Sequence, residues 1–254
     1  MLLITAPSKT QNRIDRYLSF FTEPSFFSKS TSLIDQLKAY SVTDLCHLMK
    51  ISRTLGESTH QRIADFRPPL TLENSRQALF TFQGDAYESL TPATYTEKQL
   101  RHAQRHLRIL SGLYGILRPL DLMFSYRLEM GCKITGKGWN NLYQFWGDTI
   151  TDSINFDCKD HPDPTVINLA SNEYSRVINM KKLLSRPVTI TFQQKKGDGY
   201  ATIPIHSKRA RGLMIHYVII NGLTHAEQLQ QFNLGEYSFH EELSTADNWF
   251  FRRK

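Results

Sequence analysis

The sequence has few cysteines, no long apolar run and no low-complexity segment. Its three cysteines are Cys46, Cys132 and Cys158. None belongs to a Cys-x-x-Cys pair, which argues against a disulfide framework or a zinc ribbon and favours a reducing compartment. The longest apolar stretch, Leu213–Ile220, is interrupted by His216 and is far short of the roughly 20 residues that span a bilayer. The N-terminus lacks the basic start and apolar core of a signal peptide. We therefore expect a soluble, cytoplasmic protein with no membrane association.

Standard nucleotide-binding fingerprints are also absent. The chain has neither Gly-x-Gly-x-x-Gly nor the Walker sequence Gly-x-x-x-x-Gly-Lys-Ser/Thr, which disfavours a standard dinucleotide or nucleoside triphosphate site, and no cofactor is expected. Residues 111–115 (Ser-Gly-Leu-Tyr-Gly), followed by Arg118, contain two glycines that allow close approach of a ligand. Free amides beside arginines can hold phosphate. An ordinary turn is the alternative interpretation of this segment.

Apolar residues make up 40% and aromatic residues 11% of the 254 residues, enough for a sizeable core, and no linker divides the chain. Hydrophobic spacing predicts intermixed helices and strands. The predicted strands cover about 2–5, 78–82, 166–169, 188–193 and 200–206, with edge strands near 239 and 249–251; the predicted helices cover about 31–66, 97–110, 142–154 and 208–220. A hairpin around Lys196-Gly197-Asp198-Gly199 argues against a purely parallel sheet. We therefore predict an α+β fold, a single mixed-sheet domain over residues 1–254 wrapped by helices.

Positive charge is concentrated in one part of the chain. Lysine and arginine number 31 against 24 aspartates and glutamates, a net charge of +7. The segment Arg176–His216 holds nine of the basic residues and a single acid, Asp198, whereas Asn141–Ser175 holds six acids and one lysine. Such an excess favours anionic partners. It forms either a solvated basic face or a groove for a polyanion, in which each neutralised phosphate releases counterions.

The predicted helix 97–110 combines an apolar stripe with a basic one. Arg101, Arg105 and Arg108 follow spacings of four and three and are expected to share one face. His102 and His106 have the i,i+4 spacing of a metal site, yet no glutamate follows His102 and no third ligand is near in sequence. We predict no metal site and interpret the two imidazoles as flanking the basic face.

Residues 43–65 fit two helices joined at Met49-Lys50-Ile51-Ser52. This is the arrangement of a helix-hairpin-helix element, which grips duplex phosphates through backbone amides of the hairpin without reading bases. The usual hairpin glycines are absent, and Lys50 and Ser52 stand in their places. An ordinary helical corner is the alternative.

Acidic residues near predicted turns form a further group, with Lys9 and Arg211 as candidate cationic partners. The acids are Asp85, Glu129, Asp148 and Glu173. If several converge, they can perform general acid–base chemistry or hold a cation; otherwise they form salt bridges and helix caps. Cys132 follows Gly131 and is a weak candidate for a thiol nucleophile. The residue order identifies no Ser-His-Asp or Cys-His arrangement.

Several distinctive blocks extend over nearly the whole chain. They are Phe82–Tyr87 (FQGDAY), Leu110–Gly131 (LSGLYGILRPLDLMFSYRLEMG), Leu142–Asp148 (LYQFWGD), Ile167–Tyr174 (INLASNEY) and Ala210–Met214 (ARGLM), together with Pro7, Lys9 and Thr10. In these blocks the sequence closely resembles the family of the bacterial peroxide stress protein YaaA. The resemblance implies a cytoplasmic protein that protects cells from hydrogen peroxide and is associated with limiting free intracellular iron. It also implies an unusual mixed α/β fold with a positively charged cleft, a helix-hairpin-helix-like element and binding of duplex DNA.

The sequence departs from the family pattern at a few positions. Residues 6–10 read Ala-Pro-Ser-Lys-Thr where the family usually has Ser-Pro-Ala-Lys-Thr, and Thr59 stands where asparagine is common, although Arg62 matches. Cys132 is not a family feature, which further weakens the thiol nucleophile. Arg209 corresponds at best to a family lysine, so charge rather than fork geometry is expected to count there.

Three hypotheses for the function follow. The first is a DNA-binding stress protein without turnover, which contacts the backbone of double-stranded DNA with little sequence specificity, needs no obligate protein partner and helps limit iron-driven oxidative damage. Its expected phosphate contacts are Lys50, Arg101, Arg105, Arg108, Arg118, Lys208, Arg209 and Arg211. The second is an enzyme acting on a small phosphorylated or nucleotide-like substrate in a pocket lined by Lys9, Asp85, Glu129 and Asp148. The third is direct iron sequestration. We favour the first, with the enzyme as the alternative.

Overall fold

The chain folds around an eight-stranded mixed sheet, with a two-stranded sheet beside it. The computed structural model describes residues 1–12 and 18–254. The strands are β1 (Leu2–Thr5), β2 (Arg76–Gln77), β3 (Leu107–Ser111), β4 (Gly115–Leu117), β5 (Leu122–Met123), β6 (Val166–Asn168), β7 (Pro187–Lys196), β8 (Gly199–Ala201), β9 (Ser238–Phe239) and β10 (Asn248–Arg253). The α-helices are α1 (Phe27–Leu37), α2 (Val42–Met49), α3 (Arg53–Ala64), α4 (Ala78–Thr81), α5 (Asp85–Leu90), α6 (Glu97–His106), α7 (Leu142–Trp146), α8 (Thr149–Cys158), α9 (Asn172–Ser175) and α10 (Pro204–Asn221). Within these described ranges, no helix has both the length and the apolar character needed to cross a bilayer.

The large sheet combines parallel and antiparallel pairs. Its order is β4-β3-β1-β6-β7-β10-β9, and β8 pairs with β7. The adjacent strands β3, β1, β6, β7 and β10 are parallel, while β4, β8 and β9 pair in the antiparallel direction. The predicted mixed sheet is therefore confirmed, including its hairpin, formed by β7 and β8. Because the central strands are parallel and are connected through helices, the architecture is mixed α/β rather than the predicted α+β.

The five parallel strands have a doubly wound order. Numbered as they appear in the chain, they lie across the sheet in the order 2-1-3-4-5. The chain adds β3 on one side of β1 and then β6, β7 and β10 on the other, so a topological switch point lies between β1 and β6. In open α/β sheets, ligands bind outside the carboxyl ends of the strands at such a point. Residues 6–12 and 169–175, which follow β1 and β6, border this position.

Burial of the central strands explains their composition. Every residue of β1 and of β3 is buried, as is typical of parallel strands covered on both faces. In contrast, β7 alternates buried and half-buried residues from Pro187 to Gln193, which produced the period-two pattern in the sequence. The predicted strand 2–5 is confirmed with the same bounds, and the predicted strand 166–169 corresponds to β6.

The predicted helix 97–110 is wrong at its end. α6 stops at His106, and the next five residues form β3, in which Leu107 lies beside Leu3 of β1. The apolar residues of this strand resembled a continued helix face because every position in it is buried. Arg108 therefore lies on a strand and does not share a helix face with Arg101 and Arg105.

Other boundaries differ for local reasons. The predicted strand 78–82 is instead the one-turn helix α4. The predicted helix 142–154 divides at Gly147, whose φ of 49° separates α7 from α8. The predicted strand 200–206 ends at Ala201, because Pro204 begins α10. The predicted stop of that helix is confirmed by Gly222, which caps it in the left-handed conformation. Of the predicted edge strands, β9 lies at the sheet edge, whereas β10 is flanked by β7 and β9.

The expected pair of helices within residues 43–65 is present as α2 and α3, joined by the turn Lys50–Ser52. Lys50 ends α2 in the left-handed conformation, with φ of 53°, and the Ser52 side chain caps the start of α3. Gly56 lets the two helices approach closely, since a Cβ there would lie 2.3 Å from Cys46 Sγ. The turn thus projects from a tightly packed helix pair.

Candidate functional site

Residues 6–12, which follow β1, are fixed against the start of α5 at the carboxyl end of the sheet. The Gln83 N–H donates to the Thr10 carbonyl at 3.0 Å, and the Tyr87 hydroxyl donates to the Ala6 carbonyl at 3.0 Å. Burial raises the pKa of Tyr87 well above its usual range, so this hydroxyl remains a donor. The loop that carries Lys9 is therefore fixed by hydrogen bonds from Gln83 and Tyr87.

Lys9 and Glu129 form an ion pair, with 2.9 Å between Lys9 Nζ and Glu129 Oε2. The Lys9 side chain is 63% exposed and that of Glu129 27% exposed. Arg127 Nη2 lies 3.9 Å from Glu129 Oε1, and the Arg127 side chain is only 18% exposed. Arg127 Nε is buried without a hydrogen-bond partner. Two of the residues expected in a catalytic pocket, Lys9 and Glu129, are thus in direct contact.

Glu173 reaches the same region from the β6 side of the switch point. Its Oε1 accepts a hydrogen bond of 3.0 Å from the Gly131 N–H, and its carbonyl accepts one of 2.8 Å from the Tyr143 hydroxyl. The segments after β1 and β6 both therefore contact residues 127–133, which connect the two sides of the switch point.

A cavity of about 370 Å³ lies between residues 127–133 and the α2–α3 turn; we call it the hairpin cavity. Its lining consists of residues 47–50, Arg127, Glu129, residues 131–133 and Glu173. The Cys132 thiol donates to the Leu48 carbonyl at 3.5 Å. Burial and, secondly, the charge of Glu129 raise the pKa of Cys132 to about 11. The thiol is therefore protonated at neutral pH, which argues against a nucleophilic role.

The start of α10 contributes further cations at this end of the sheet. Arg209 Nε lies 3.1 Å from Asp85 Oδ1 at the start of α5. Lys208 beside it is exposed. Arg211 is half-buried, its Nε has no hydrogen-bond partner, and burial lowers its pKa. A Cβ on Gly84 would lie 3.2 Å from Ser8 Oγ, so this group adjoins the loop that carries Lys9.

These cations define what we call the carboxyl-end surface. It consists of Lys9, Lys50, Lys133, Lys208 and Arg209, all of them exposed. Within residues 1–12 and 18–254, Lys50, Lys133 and Lys208 have no carboxylate within 4.0 Å of their ammonium groups. Their charges are therefore available to a ligand, whereas those of Lys9 and Arg209 are shared with Glu129 and Asp85.

The other predicted phosphate contacts lie at the opposite, amino end of the parallel strands. Arg101 Nη2 is 2.6 Å from Glu97 Oε1, and Arg105 Nη2 donates to the Asp160 carbonyl at 3.1 Å. His102, between them, contacts the Leu223 carbonyl just beyond the end of α10. The predicted set of phosphate contacts is thus divided between two ends of the sheet.

Arg108 and Arg118 are engaged in partly buried ion pairs at this amino end. Arg108 is buried, with its Nε 2.7 Å from Asp157 Oδ2. Arg118 Nη2 lies 2.9 Å from Asp121 Oδ1, and the Asp121 side chain is 1% exposed. Burial raises the pKa of Asp121, and the charge of Arg118 opposes that rise. Both guanidinium groups therefore neutralise carboxylates inside the protein, a role that the sequence did not indicate.

Asp148 engages a different set of partners from Lys9, Asp85 and Glu129. It precedes α8, and it accepts hydrogen bonds from Asn179 Nδ2 (2.8 Å) and from Lys182 Nζ. The bond from Lys182, followed by that from Asn179, lowers the pKa of Asp148. Among the four residues expected to line a catalytic pocket, the described structure joins Lys9 to Glu129, Asp85 to Arg209 and Asp148 to Lys182.

His102 and His106 belong to a stack of imidazoles. Their ring centroids are 4.2 Å apart, and His161 lies 4.6 Å from His106. Burial lowers the pKa of His106 to about 3 and that of His161 to about 4. The His106 Nδ1–H donates to the Met1 carbonyl at 2.8 Å. Within the described part of the chain, no group of three or more His, Cys, Asp or Glu side chains is arranged to hold a metal ion.

Sequence reasoning missed Arg127 and Lys133, which line the hairpin cavity. A signal was present for Arg127, because residues 126–130 alternate between buried and half-buried positions and so place it on one face with Glu129. Lys133 had no comparable signal, since it joins Lys50 in the lining of the cavity only through tertiary contacts.

The comparison with known families bears directly on this arrangement. A family model described as peroxide stress protein YaaA matches residues 1–243. The chain belongs to this family. The resemblance inferred from the sequence blocks is thereby confirmed, and most of the residues of the carboxyl-end surface and the hairpin cavity lie within or beside those blocks.

Full-length relatives support the same assignment. A UPF0246 protein of Acaryochloris marina is 45% identical over 253 residues, covering 100% of both chains. UPF0246 proteins of Colwellia psychrerythraea and of Neisseria meningitidis serogroup B are each 40% identical and cover 100% of this chain and 99% and 98% of their own. The similarity therefore extends over the whole domain rather than over one motif.

Proposed function

We propose that this member of the peroxide stress family binds duplex DNA through the phosphate backbone at the carboxyl-end surface. In doing so it helps limit iron-driven oxidative damage. Ferrous iron converts peroxide into hydroxyl radical, and DNA is one of its chief targets, so a protein that covers DNA during peroxide stress acts where damage occurs. We expect this to take place in the cytoplasm.

The α2–α3 turn is the observation that carries the proposal. The first N–H groups of a helix have no partner within the helix, and together with the helix dipole they attract phosphate. At the start of α3 the Ser52 side chain accepts from the Leu55 N–H, which leaves the N–H groups of Arg53 and Thr54, three and four residues after the exposed Lys50. Lys133 lines the same cavity as Lys50. A backbone phosphate at the turn therefore meets both amides and ammonium groups.

The distribution of unpaired charge also supports this surface. Lys50, Lys133 and Lys208 have no neighbouring carboxylate among the described residues, whereas Arg108 and Arg118 are committed to Asp157 and Asp121. Contacts from lysines and helix amides reach phosphates and carry little sequence information. We therefore expect double-stranded DNA to be bound with little sequence preference.

The alternative, an enzyme with a small phosphorylated or nucleotide-like substrate, has less support. Lys9 and Glu129 meet beside the hairpin cavity, but Asp85 and Asp148 are engaged by Arg209 and Lys182. For Lys9, Asp85, Glu129 and Asp148 to act together, Asp85 would have to leave Arg209 and Asp148 would have to leave Lys182.

Fluorescence anisotropy of labelled duplexes at several salt concentrations tests the proposal. Neutralisation of four or five phosphates predicts a slope of log affinity against log salt between about −3 and −5. The double variant K208E/R209E is expected to weaken binding to unrelated duplex sequences by similar factors, because only phosphates are contacted. A slope near zero, or no binding at low salt, would refute duplex binding.

A further inference from the structure

The hairpin cavity has a position and a lining that duplex backbone contacts alone do not explain. Its lining includes the exposed Lys50 and Lys133 and the buried Cys132. Its volume of about 370 Å³ falls within the range of about 300–1,000 Å³ that is typical of small-molecule sites. A phosphate held at the α2–α3 turn would lie at its mouth.

The lining of this cavity combines apolar side chains with hydrogen-bonding groups. Leu48 and Met49 are half-buried and supply apolar surface. Arg127, Glu129 and Glu173 supply polar groups. Planar ligands with polar edges, such as nucleobases, match a site of this kind, because their faces contact apolar side chains while their edges form hydrogen bonds.

One acceptor among the polar side chains of the lining is left unused. Arg127 Nε is buried without a partner and is out of reach of a ligand in the cavity, so it contributes no donor. Glu173 Oε1 accepts from the Gly131 N–H, whereas its Oε2 has no hydrogen bond to any described residue. The lining thus offers one free acceptor, Glu173 Oε2, to an incoming group.

We propose that the hairpin cavity receives a single unpaired nucleobase of bound DNA, rotated out of the base stack. This inference rests on the proposed duplex binding and adds a preferred DNA structure to it. A paired base must break its hydrogen bonds and leave the stack before it can enter, whereas an unpaired or bulged base leaves the stack at a lower energetic cost. Carboxylates accept hydrogen bonds from exocyclic amino groups, so the cavity favours bases that carry an amino group.

The test compares a fully paired duplex with the same duplex carrying one bulged 2-aminopurine. We expect the bulged duplex to bind about tenfold more tightly, equivalent to about 1.4 kcal/mol, and the 2-aminopurine fluorescence to rise as the base leaves the stack. E173Q retains the acceptor for Gly131 but removes the carboxylate, and L48F fills the cavity without changing charge. Both variants should lose the preference for the bulge. L48F should keep the affinity for paired duplex, and E173Q should keep it or raise it because a negative charge is removed. E97Q, at the amino end, is the matched control and should keep both the preference and the affinity.

The outcomes separate this inference from the proposed function. Equal affinity for the two duplexes, with no fluorescence change, would overturn the base site and leave duplex binding intact. A bulge preference that survives in both E173Q and L48F would exclude the hairpin cavity as the site. Failure to bind either duplex would overturn the proposed function and the base site together.

Discussion

Lys9 Nζ lies 2.9 Å from Glu129 Oε2, which joins the loop after β1 to the lining of the hairpin cavity. Lys9 follows β1 at the switch point between β1 and β6. The ion pair also neutralises one positive charge of the carboxyl-end surface. We therefore expect Glu129 to lower the affinity of this surface for phosphate.

Replacement of Glu129 by glutamine should strengthen binding to fully paired duplex. The change removes a negative charge and releases Lys9, so we expect affinity at low salt to rise about threefold to tenfold and the salt slope to steepen by about 1. The unfolding free energy should change by less than about 1 kcal/mol, because Lys9 is mostly exposed. E97Q makes the same substitution at the amino end, where it frees Arg101; an equal gain in that variant would contradict the assignment of the surface.

Gly212 is expected to be essential for packing of α10 against α5. A Cβ there would lie 2.0 Å from the Ala86 carbonyl oxygen, and backbone atoms cannot move aside without separating the helices. G212A should therefore lower the unfolding free energy by about 1–3 kcal/mol and the Tm by about 2–4 °C for each kcal/mol. G199A is the control, since a Cβ at Gly199 meets nothing within 4 Å. Equal thermal stability of the two variants would show that the helix contact tolerates expansion.

Arg118 is expected to act in stability rather than in DNA binding. R118M would leave the buried Asp121 carboxylate without its cation, and the loss of one member of a buried pair lowers the unfolding free energy by about 3–5 kcal/mol. Urea unfolding measures this loss, and anisotropy at a temperature where the variant is folded should give an unchanged duplex affinity. Unchanged stability with weakened DNA binding would instead restore the role that the sequence suggested.

The imidazole stack predicts a loss of stability as the pH falls. In the folded protein the pKa of His106 is about 3 and that of His161 about 4, whereas both are near 6.5 when unfolded. The unfolded state therefore binds more protons between these values, so the contribution is complete above about pH 6.5 and is progressively lost toward pH 4. H106N retains a donor to the Met1 carbonyl. Between about pH 4.5 and 6, H106N should reduce the slope of unfolding free energy against pH by about 1.4 kcal/mol per pH unit, because one proton fewer is taken up on unfolding. An unchanged slope would contradict burial of a neutral His106.

Local sequence patterns predicted the elements whose hydrophobic residues follow a single periodicity or whose ends carry a clear turn or helix-stop residue. The strand at 2–5, the turn at Lys50 and the stop at Gly222 were all indicated by the sequence and are present. The end of α6 was misjudged because a strand buried on both faces is apolar at every position, so Leu107 and Leu110 also fit a helical stripe. Tertiary environment, not local propensity, decides such segments.

The candidate site could be predicted only in part. Lys9 and Glu129 were predicted to share a pocket, whereas Lys50 was assigned to a separate hairpin. Nothing local indicates that all three converge, because 40 or more residues separate each from the next along the chain. The same limit explains Arg118. Because it follows the two glycines of residues 111–115, it resembles a phosphate ligand, and only the fold reveals that the buried Asp121 engages it.

The most direct test compares charge reversal at the two ends of the sheet. K50E/K133E alters the carboxyl-end surface, and R101E/R105E makes an equal change of charge at the amino end. We expect K50E/K133E to lower the affinity for paired duplex by tenfold or more at low salt and to flatten the salt slope by about 2, while R101E/R105E changes affinity by less than about threefold. Equal losses in the two variants, or a larger loss in R101E/R105E, would contradict the carboxyl-end surface as the DNA-binding site.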